Sequence, residues 1–199
     1  MNNIFIKIRS LICPFDKIEC FVPKQGQILD FGCGHGIFSS LLIQKSSKRH
    51  VLGIDPSEYK IKLAKNNFGK LKNLKLQTAF LKDIKKQKFD CIVMLDVLYL
   101  LTTNEKREIL QIARSMLRKN GTLVLKTISH HPKLLLIFAK WEEILMVKLI
   151  QYTYSKTKKL YFLSEEKYLS LLKNTGFIVN YETSIQGLPY RHHLFIAKK

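Results

Sequence analysis

Gln27-Ile28-Leu29-Asp30-Phe31-Gly32-Cys33-Gly34-His35-Gly36-Ile37-Phe38 is the stretch on which the reading of this chain turns. Ile28-Leu29 reads as a short buried parallel strand, ending in the carboxylate of Asp30 and then three glycines at alternate positions. Ile37-Phe38 and Leu41-Leu42 supply an apolar helix start behind them. A strand that breaks into a glycine-rich turn and then a helix lets a ligand approach bare backbone at the helix N-terminus. Glycine suits that turn because it takes positive φ freely and puts no Cβ in the ligand's way.

Glycine clusters also make ordinary turns, so the flanking acids decide. Asp30 sits just before the first glycine. Val51-Leu52-Gly53-Ile54-Asp55 is a second apolar strand ending in an acid, about 20 residues after the last glycine, the spacing of a carboxylate that holds a ribose hydroxyl pair. A dinucleotide fingerprint would need a glycine where Ile37 stands. Asp30 would also repel a pyrophosphate in a partly desolvated site. A ligand with a cationic head and an adenosine tail fits better, and S-adenosylmethionine is such a molecule.

Ile28-Leu29-Asp30-Phe31-Gly32-Cys33-Gly34-His35-Gly36, with Gly53-Ile54-Asp55-Pro56-Ser57, closely resembles the first two motifs of the class I S-adenosylmethionine-dependent methyltransferases. The resemblance covers about residues 25–199. It implies an α/β fold, a Rossmann-like three-layer sandwich with a seven-stranded, mostly parallel sheet whose last strand is antiparallel. It implies S-adenosylmethionine as cofactor, with Asp30, Gly32, Cys33, Gly34 and Gly36 at its methionine end and Asp55 and Pro56 at its ribose. Many members place an acid after the third strand against the adenine. Here Ala79-Phe80 occupy that position and Asp83 a later one, so adenine is expected on backbone groups and the face of Phe80.

Phe89-Asp90-Cys91-Ile92-Val93-Met94-Leu95-Asp96 reads as a fully apolar central strand ending in a third acid on the same edge. It resembles the family's fourth motif, which makes Asp96 a cofactor contact and Asp96 and Tyr99 candidates for orienting substrate. The alternative for Asp96 is a cap on the next helix. Residues 104–118 read as an amphipathic helix, Lys119-Asn120-Gly121 as a tight turn and 122–128 as a fifth strand. His130, in the loop after that strand, is a candidate general base. Adjacent histidines without a third spaced ligand exclude a zinc site there, and no metal is expected.

Residues 1–24 precede the sheet. Ile4, Phe5, Ile8, Leu11 and Ile12 share one helical face, expected to form a lid helix, to pack on the core, or to lie on a membrane surface. The resemblance implies a methyltransferase domain over residues 25–199, with 130–162 as a substrate-recognition insertion. Within it Phe138, Trp141, Ile144, Leu145 and Met146 spread over more than one face, which points to an apolar or lipid-like acceptor. Ser164 reads as an N-cap, followed by a helix to about Asn174 and strands over 177–183 and 192–197.

At 199 residues, with 46% of them apolar, the chain suits one globular domain. Its four cysteines lack metal spacing, which fits a reduced, cytoplasmic protein. The net charge of +19 is carried mostly by scattered lysines, so a solvated surface is preferred to a nucleic-acid interface. No run reaches the ~18 apolar residues of a membrane span. Lys7 and Arg9 interrupt the N-terminal apolar residues, which argues against a signal peptide. The expected partner is a small-molecule or lipid-like acceptor, with the chain a monomer or homodimer. Competing readings are a nicotinamide oxidoreductase, which Ile37 opposes; a catalytically silent binding partner; and an RNA-modifying methyltransferase. Leu95-Asp96-Val97-Leu98 replaces the Asn/Asp-Pro-Pro-aromatic tetrapeptide of amino-directed nucleic-acid and protein enzymes.

Overall fold

The structure is a computed structural model that describes residues 13–128, 161–186 and 191–199. The elements follow in order as α1 (Phe15–Glu19), β1 (Gly26–Phe31), α2 (Ile37–Lys45), β2 (Arg49–Asp55), α3 (Glu58–Phe68), β3 (Leu74–Thr78), β4 (Phe89–Leu95), α4 (Thr103–Met116), β5 (Leu117–Ile128), α5 (Glu165–Asn174), β6 (Ile178–Gln186) and β7 (Arg191–Lys198). Short 3-10 turns at Leu81–Ile84 and Leu98–Leu100 flank β4.

The seven strands form one sheet in the order β3-β2-β1-β4-β5-β7-β6. Strands β1 to β5 pair in parallel, and β7 runs antiparallel between β5 and β6. The expected sheet and its reversed last strand are therefore present. Successive side chains of a strand point to opposite faces, and the apolar runs divide accordingly. Leu29, Phe31, Ile92, Met94, Leu123 and Leu125 pack with Leu110, Ala113 and Met116 of α4 and Leu171 and Leu172 of α5. Ile28, Val51, Cys91, Val93 and Val124 face the other way, onto Phe15, Ile18, Phe38 and Leu42. This gives the three layers, and it explains why the central strands are apolar on both faces.

Local chemistry sets the helix ends. Thr102 accepts from the Glu105 amide while the Glu105 carboxylate accepts from the Thr102 amide, a reciprocal cap on α4. Ser57 accepts from the Lys60 amide at the start of α3. Ser164 stands at the N-cap of α5 but makes no side-chain cap bond there. Gly69 ends α3 in a right-handed conformation (φ −63°). A Cβ there would lie 2.5 Å from the Lys65 carbonyl, so space makes it glycine.

Two expectations change. Lys119-Asn120-Gly121 is not a separate turn between helix and strand. It lies inside β5 as an irregularity: pairing runs from Phe89↔Leu117 to Cys91↔Thr122, with Asn120 at φ 63°. The helix before it accordingly ends at Met116 rather than 118. Residues 13–24 include the short helix α1, and Cys13, Phe15, Ile18 and Val22 of this stretch join the same core as β1 and α2. Phe15 and Phe38 are tilted against each other at 5.4 Å. This stretch packs as core, one of the expected alternatives for the N-terminal segment. The apolar face 4–12, His130 and residues 134–151 lie outside the described residues. No described helix is long and apolar enough to cross a membrane.

Candidate functional site

Strand order reverses between β1 and β4, and the crevice at such a switch point is where ligands bind in open α/β sheets. Asp30 lies near the end of β1, Asp55 ends β2, and Asp96 follows β4. The sheet thus brings the three sequence-predicted acids to one edge.

The loop after β1 is held by its own backbone. The amides of Gly32 and Cys33 both donate to the Ile54 carbonyl, at 2.8 and 3.0 Å, and the Gly36 amide donates to the Cys33 carbonyl. Its glycines serve different ends. At Gly32 (φ +75°) a Cβ would lie 2.4 Å from Val97 Cγ2, so this glycine lets the β1 loop and the β4 tip approach each other. Gly36 is backed by Ala64 of α3. Gly34 (φ +53°) has nothing within 4 Å of its missing Cβ. Of the three glycines expected to expose backbone to a ligand, Gly34 alone faces open space; the other two are packed against the protein. Cys33 is half-buried, and burial first, then the nearby Asp30 and Asp55, push its thiol well above the usual range.

Asp55 supports this loop directly. Its Oδ2 accepts from the Gly34 amide at 3.0 Å and its Oδ1 from the Ser57 amide at 2.9 Å. One carboxylate therefore joins the glycine loop to the start of α3, around half-buried Pro56. Each carboxylate oxygen keeps a second lone pair, so this bracing leaves capacity for two hydroxyl donors.

Asp30 is 2% exposed, and its Oδ2 accepts from Ser39 Oγ at 2.5 Å. Burial pushes its carboxyl up to about 6, the Ser39 hydrogen bond opposes that, and the charge of Asp55 adds to it. Ser39 was not foreseen. It sits one turn into α2, where a serine normally reads as solvated surface. The sequence signal was its place beside Ser40 in an otherwise apolar helix start; both serines are buried. A Cβ on Gly53 would come within 2.8 Å of Ser39 Oγ and 3.0 Å of Cys33 Sγ. Glycine in β2 thus makes room for the hydroxyl that holds Asp30.

Phe80 is 45% exposed after β3, and its ring stands 5.6 Å from Lys82 Nζ. Asp83 Oδ2 accepts from the Phe80 amide at 2.8 Å and so fixes the backbone that carries this ring.

The β4 tip departs from expectation. Asp96 takes a left-handed conformation (φ 58°), rare for a residue other than glycine and common at functional sites. Its amide donates to the Lys126 carbonyl at 3.1 Å, and its Oδ2 accepts from Lys126 Nζ at 2.5 Å. Lys126 is fully buried. Asp96 is not the cap of the following helix, since Thr102 and Glu105 cap α4 between them. Tyr99 is 3% exposed and stacks on Phe162 at 5.3 Å. Its carbonyl accepts from the Tyr161 amide. Tyr99 therefore packs the chain returning at 161–162 onto the β4 tip, where a substrate-facing side chain was expected. Lys106 reinforces that junction by donating to the carbonyls of Leu101 and Tyr161. Burial pushes its ammonium down to about 8, against the opposing pull of Glu105.

A sequence-family model described as a methyltransferase domain matches residues 23–176. An uncharacterised protein of Rickettsia prowazekii (strain Madrid E) is 30% identical over 102 residues, 49% of this chain and 41% of that protein. This chain therefore matches less than half the length of that curated relative. A magnesium protoporphyrin IX methyltransferase from Synechocystis PCC 6803 with bound S-adenosylhomocysteine superposes with a TM-score of 0.74 at 20% identity, covering 100% of this chain and 88% of that one. A S-adenosylmethionine-dependent methyltransferase from Methanosarcina mazei gives 0.72 at 19% identity over 92% and 96% of the two chains. A cyclopropane synthase from Mycobacterium tuberculosis gives 0.72 at 15% identity over 94% and 84%. At these identities the structural likeness is one of fold.

Proposed function

Because this chain belongs to the methyltransferase-domain family, we propose that it is an S-adenosylmethionine-dependent methyltransferase acting on a small, largely apolar acceptor. The observation that carries the reading is the pairing of two buried carboxylates, Asp30 and Asp55, with the open space at Gly34. That cradle suits a positively charged nucleoside and opposes a pyrophosphate. The bound S-adenosylhomocysteine named for the Synechocystis structure supports it.

In this reading the ionised Asp30 attracts the ammonium of the methionine end, and Ser39 keeps the carboxylate in place. The spare lone pairs of Asp55 receive the ribose hydroxyls, and the exposed face of Phe80 takes the adenine. When bound, S-adenosylmethionine supplies a methyl carbon activated by its sulfonium, with a neutral thioether as leaving group. The chain's own task is then mainly to hold donor and acceptor in line and to exclude water. Asp96 stands at the methyl-accepting end of the crevice. The likeness to a magnesium protoporphyrin IX methyltransferase and a cyclopropane synthase supports a small-molecule acceptor. A cytoplasmic location belongs to the same proposal.

Asp55→Ala tests the ribose assignment. Leaving two hydroxyls and two backbone amides without their acceptor should weaken S-adenosylhomocysteine binding by about 1–3 kcal/mol, which is roughly 5- to 150-fold. Calorimetry reads this directly, with the melting transition as the check on folding. Unchanged affinity in a folded variant would remove Asp55 from the site.

A further inference from the structure

Lys126 is the one charged residue of the mostly apolar run 121–128, and the cofactor reading gives it no task. Lys126 is fully buried near the carboxyl end of β5, opposite Leu95 of β4 and Leu194 of β7. Among the described residues, Asp96 Oδ2 is the hydrogen-bond partner of its Nζ. An ammonium has three N–H donors. Burying it with one donor engaged is costly unless other polar atoms meet the remaining two.

The charges of the site point the same way. Asp96 and Lys126 cancel each other at the accepting end of the crevice. Asp30 and Asp55 lie on β1 and β2, at the cofactor's other end in the proposed reading. An acceptor carrying a negative oxygen at that end would meet the spare donors of Lys126 and add to the counter-charge that Asp30 and Asp55 offer a bound sulfonium. The surroundings are apolar: Leu95 and Leu98 are buried and Val97 is half-buried. One oxygen of Asp96 is committed to Lys126. An acceptor that arrives already ionised has no proton to lose.

We propose that Lys126 is a specificity-determining residue whose ammonium, steadied by Asp96, receives the carboxylate of an organic-acid acceptor with an apolar body. The inference rests on the methyltransferase reading, and its test separates the two. The protein is first saturated with S-adenosylhomocysteine, then titrated calorimetrically with 3-phenylpropionate and with its neutral isostere 3-phenylpropionamide. The wild type should bind the acid about tenfold or more tightly than the amide, the difference expected of a charge-assisted hydrogen bond. Lys126→Met should erase that preference while leaving S-adenosylhomocysteine affinity within about twofold, and Lys126→Arg should retain it.

Equal binding of acid and amide by the wild type, binding of neither, or a preference that survives Lys126→Met would each overturn the inference and leave the cofactor reading standing. If Lys126→Met fails to fold, the wild-type pair and Lys126→Arg decide. A wild type that does not bind S-adenosylhomocysteine overturns the methyltransferase reading and this inference with it.

Discussion

Arg49→Met is expected to destabilise the protein by about 3–5 kcal/mol, the cost of removing one partner from a buried ion pair. Arg49 begins β2 and is fully buried. Its Nε donates to the Pro23 carbonyl at 2.7 Å, Nη2 to Val22 at 2.7 Å and Nη1 to Leu42 at 3.0 Å. Nη1 also lies 2.6 Å from Glu19 Oε1. One guanidinium thus fastens α1 and the chain after it to the end of α2. Methionine fills much of the volume but leaves the Val22 and Pro23 carbonyls without their donor, the Leu42 carbonyl with the Ser46 amide alone, and Glu19 with Lys24 as its remaining cation.

For a domain of this size each kcal/mol moves the melting temperature by about 2–4 °C, so a fall of roughly 6–20 °C is expected. The network also predicts a pH dependence. Burial raises the Glu19 carboxyl, but the hydrogen bonds from Lys24 and Arg49 outweigh it and hold the group below its usual range. An acid held low contributes stability above its unfolded value and loses it as pH falls through the folded one. Arg49→Met should therefore cost less in acid than at neutral pH. A loss under about 1 kcal/mol in urea titrations would show that solvent replaces the guanidinium. The residue lies at the opposite end of the sheet from the acids of the site, so cofactor affinity in the folded variant should be unaffected.

Asp30→Asn should move stability and binding in opposite directions. A carboxylate ionised at 2% exposure, with Ser39 as its hydroxyl donor, is held against its preference for water. Its folded value of about 6 stands above the ordinary 3.8. The folded state therefore binds the proton more tightly than the unfolded chain. The penalty is absent below the unfolded value, grows as pH rises from about 4 to 6, and is full above that. About two units correspond to ~3 kcal/mol, of which burial of the new amide N–H donors takes a share.

The ligand-free Asp30→Asn protein should thus be about 1–2 kcal/mol more stable than wild type at pH 7.5, with the advantage fading toward pH 4. Losing the negative charge should weaken S-adenosylhomocysteine by about tenfold or more, since a charge-assisted contact to the ammonium is gone. Increased stability with unchanged affinity would assign Asp30 to packing alone. Such a trade of stability for binding is common where a site keeps a strained group for its ligand.

The sheet and three of its tips were legible because each rests on a local rule. A fully apolar run bounded by an acid and a turn is a buried parallel strand with its carboxylate at the ligand edge. Asp30, Asp55 and Asp96 all obey it. The partners of those acids were not legible, because they depend on packing between distant elements. Ser39 meets Asp30 only once α2 is laid against β1. Lys126 meets Asp96 only through the register of β4 and β5, which pairs Leu95 with Lys126. Arg49 meets the carbonyls of Val22, Pro23 and Leu42 only once α1 and α2 are laid beside β2.

Tyr99 misled because an aromatic after an acidic strand tip suggests a ligand wall, whereas Phe162, far along the chain, covers it. Lys119-Asn120-Gly121 carries turn chemistry, and Asn120 does take the left-handed conformation. Pairing with β4 on both sides absorbs it as an irregularity of one strand. The roles expected of His130 and of the apolar stretch 134–151 fall outside the described residues.

Titration of the wild-type protein with S-adenosylhomocysteine, and separately with NADH, decides whether Asp30 and Asp55 hold a cationic nucleoside. One S-adenosylhomocysteine should bind per chain, less tightly at pH 5 than at pH 7.5 because Asp30 gains its proton on acidification, and NADH should not bind measurably. Heat from NADH with none from S-adenosylhomocysteine would contradict it, because the two acids would then not be gripping a cationic nucleoside.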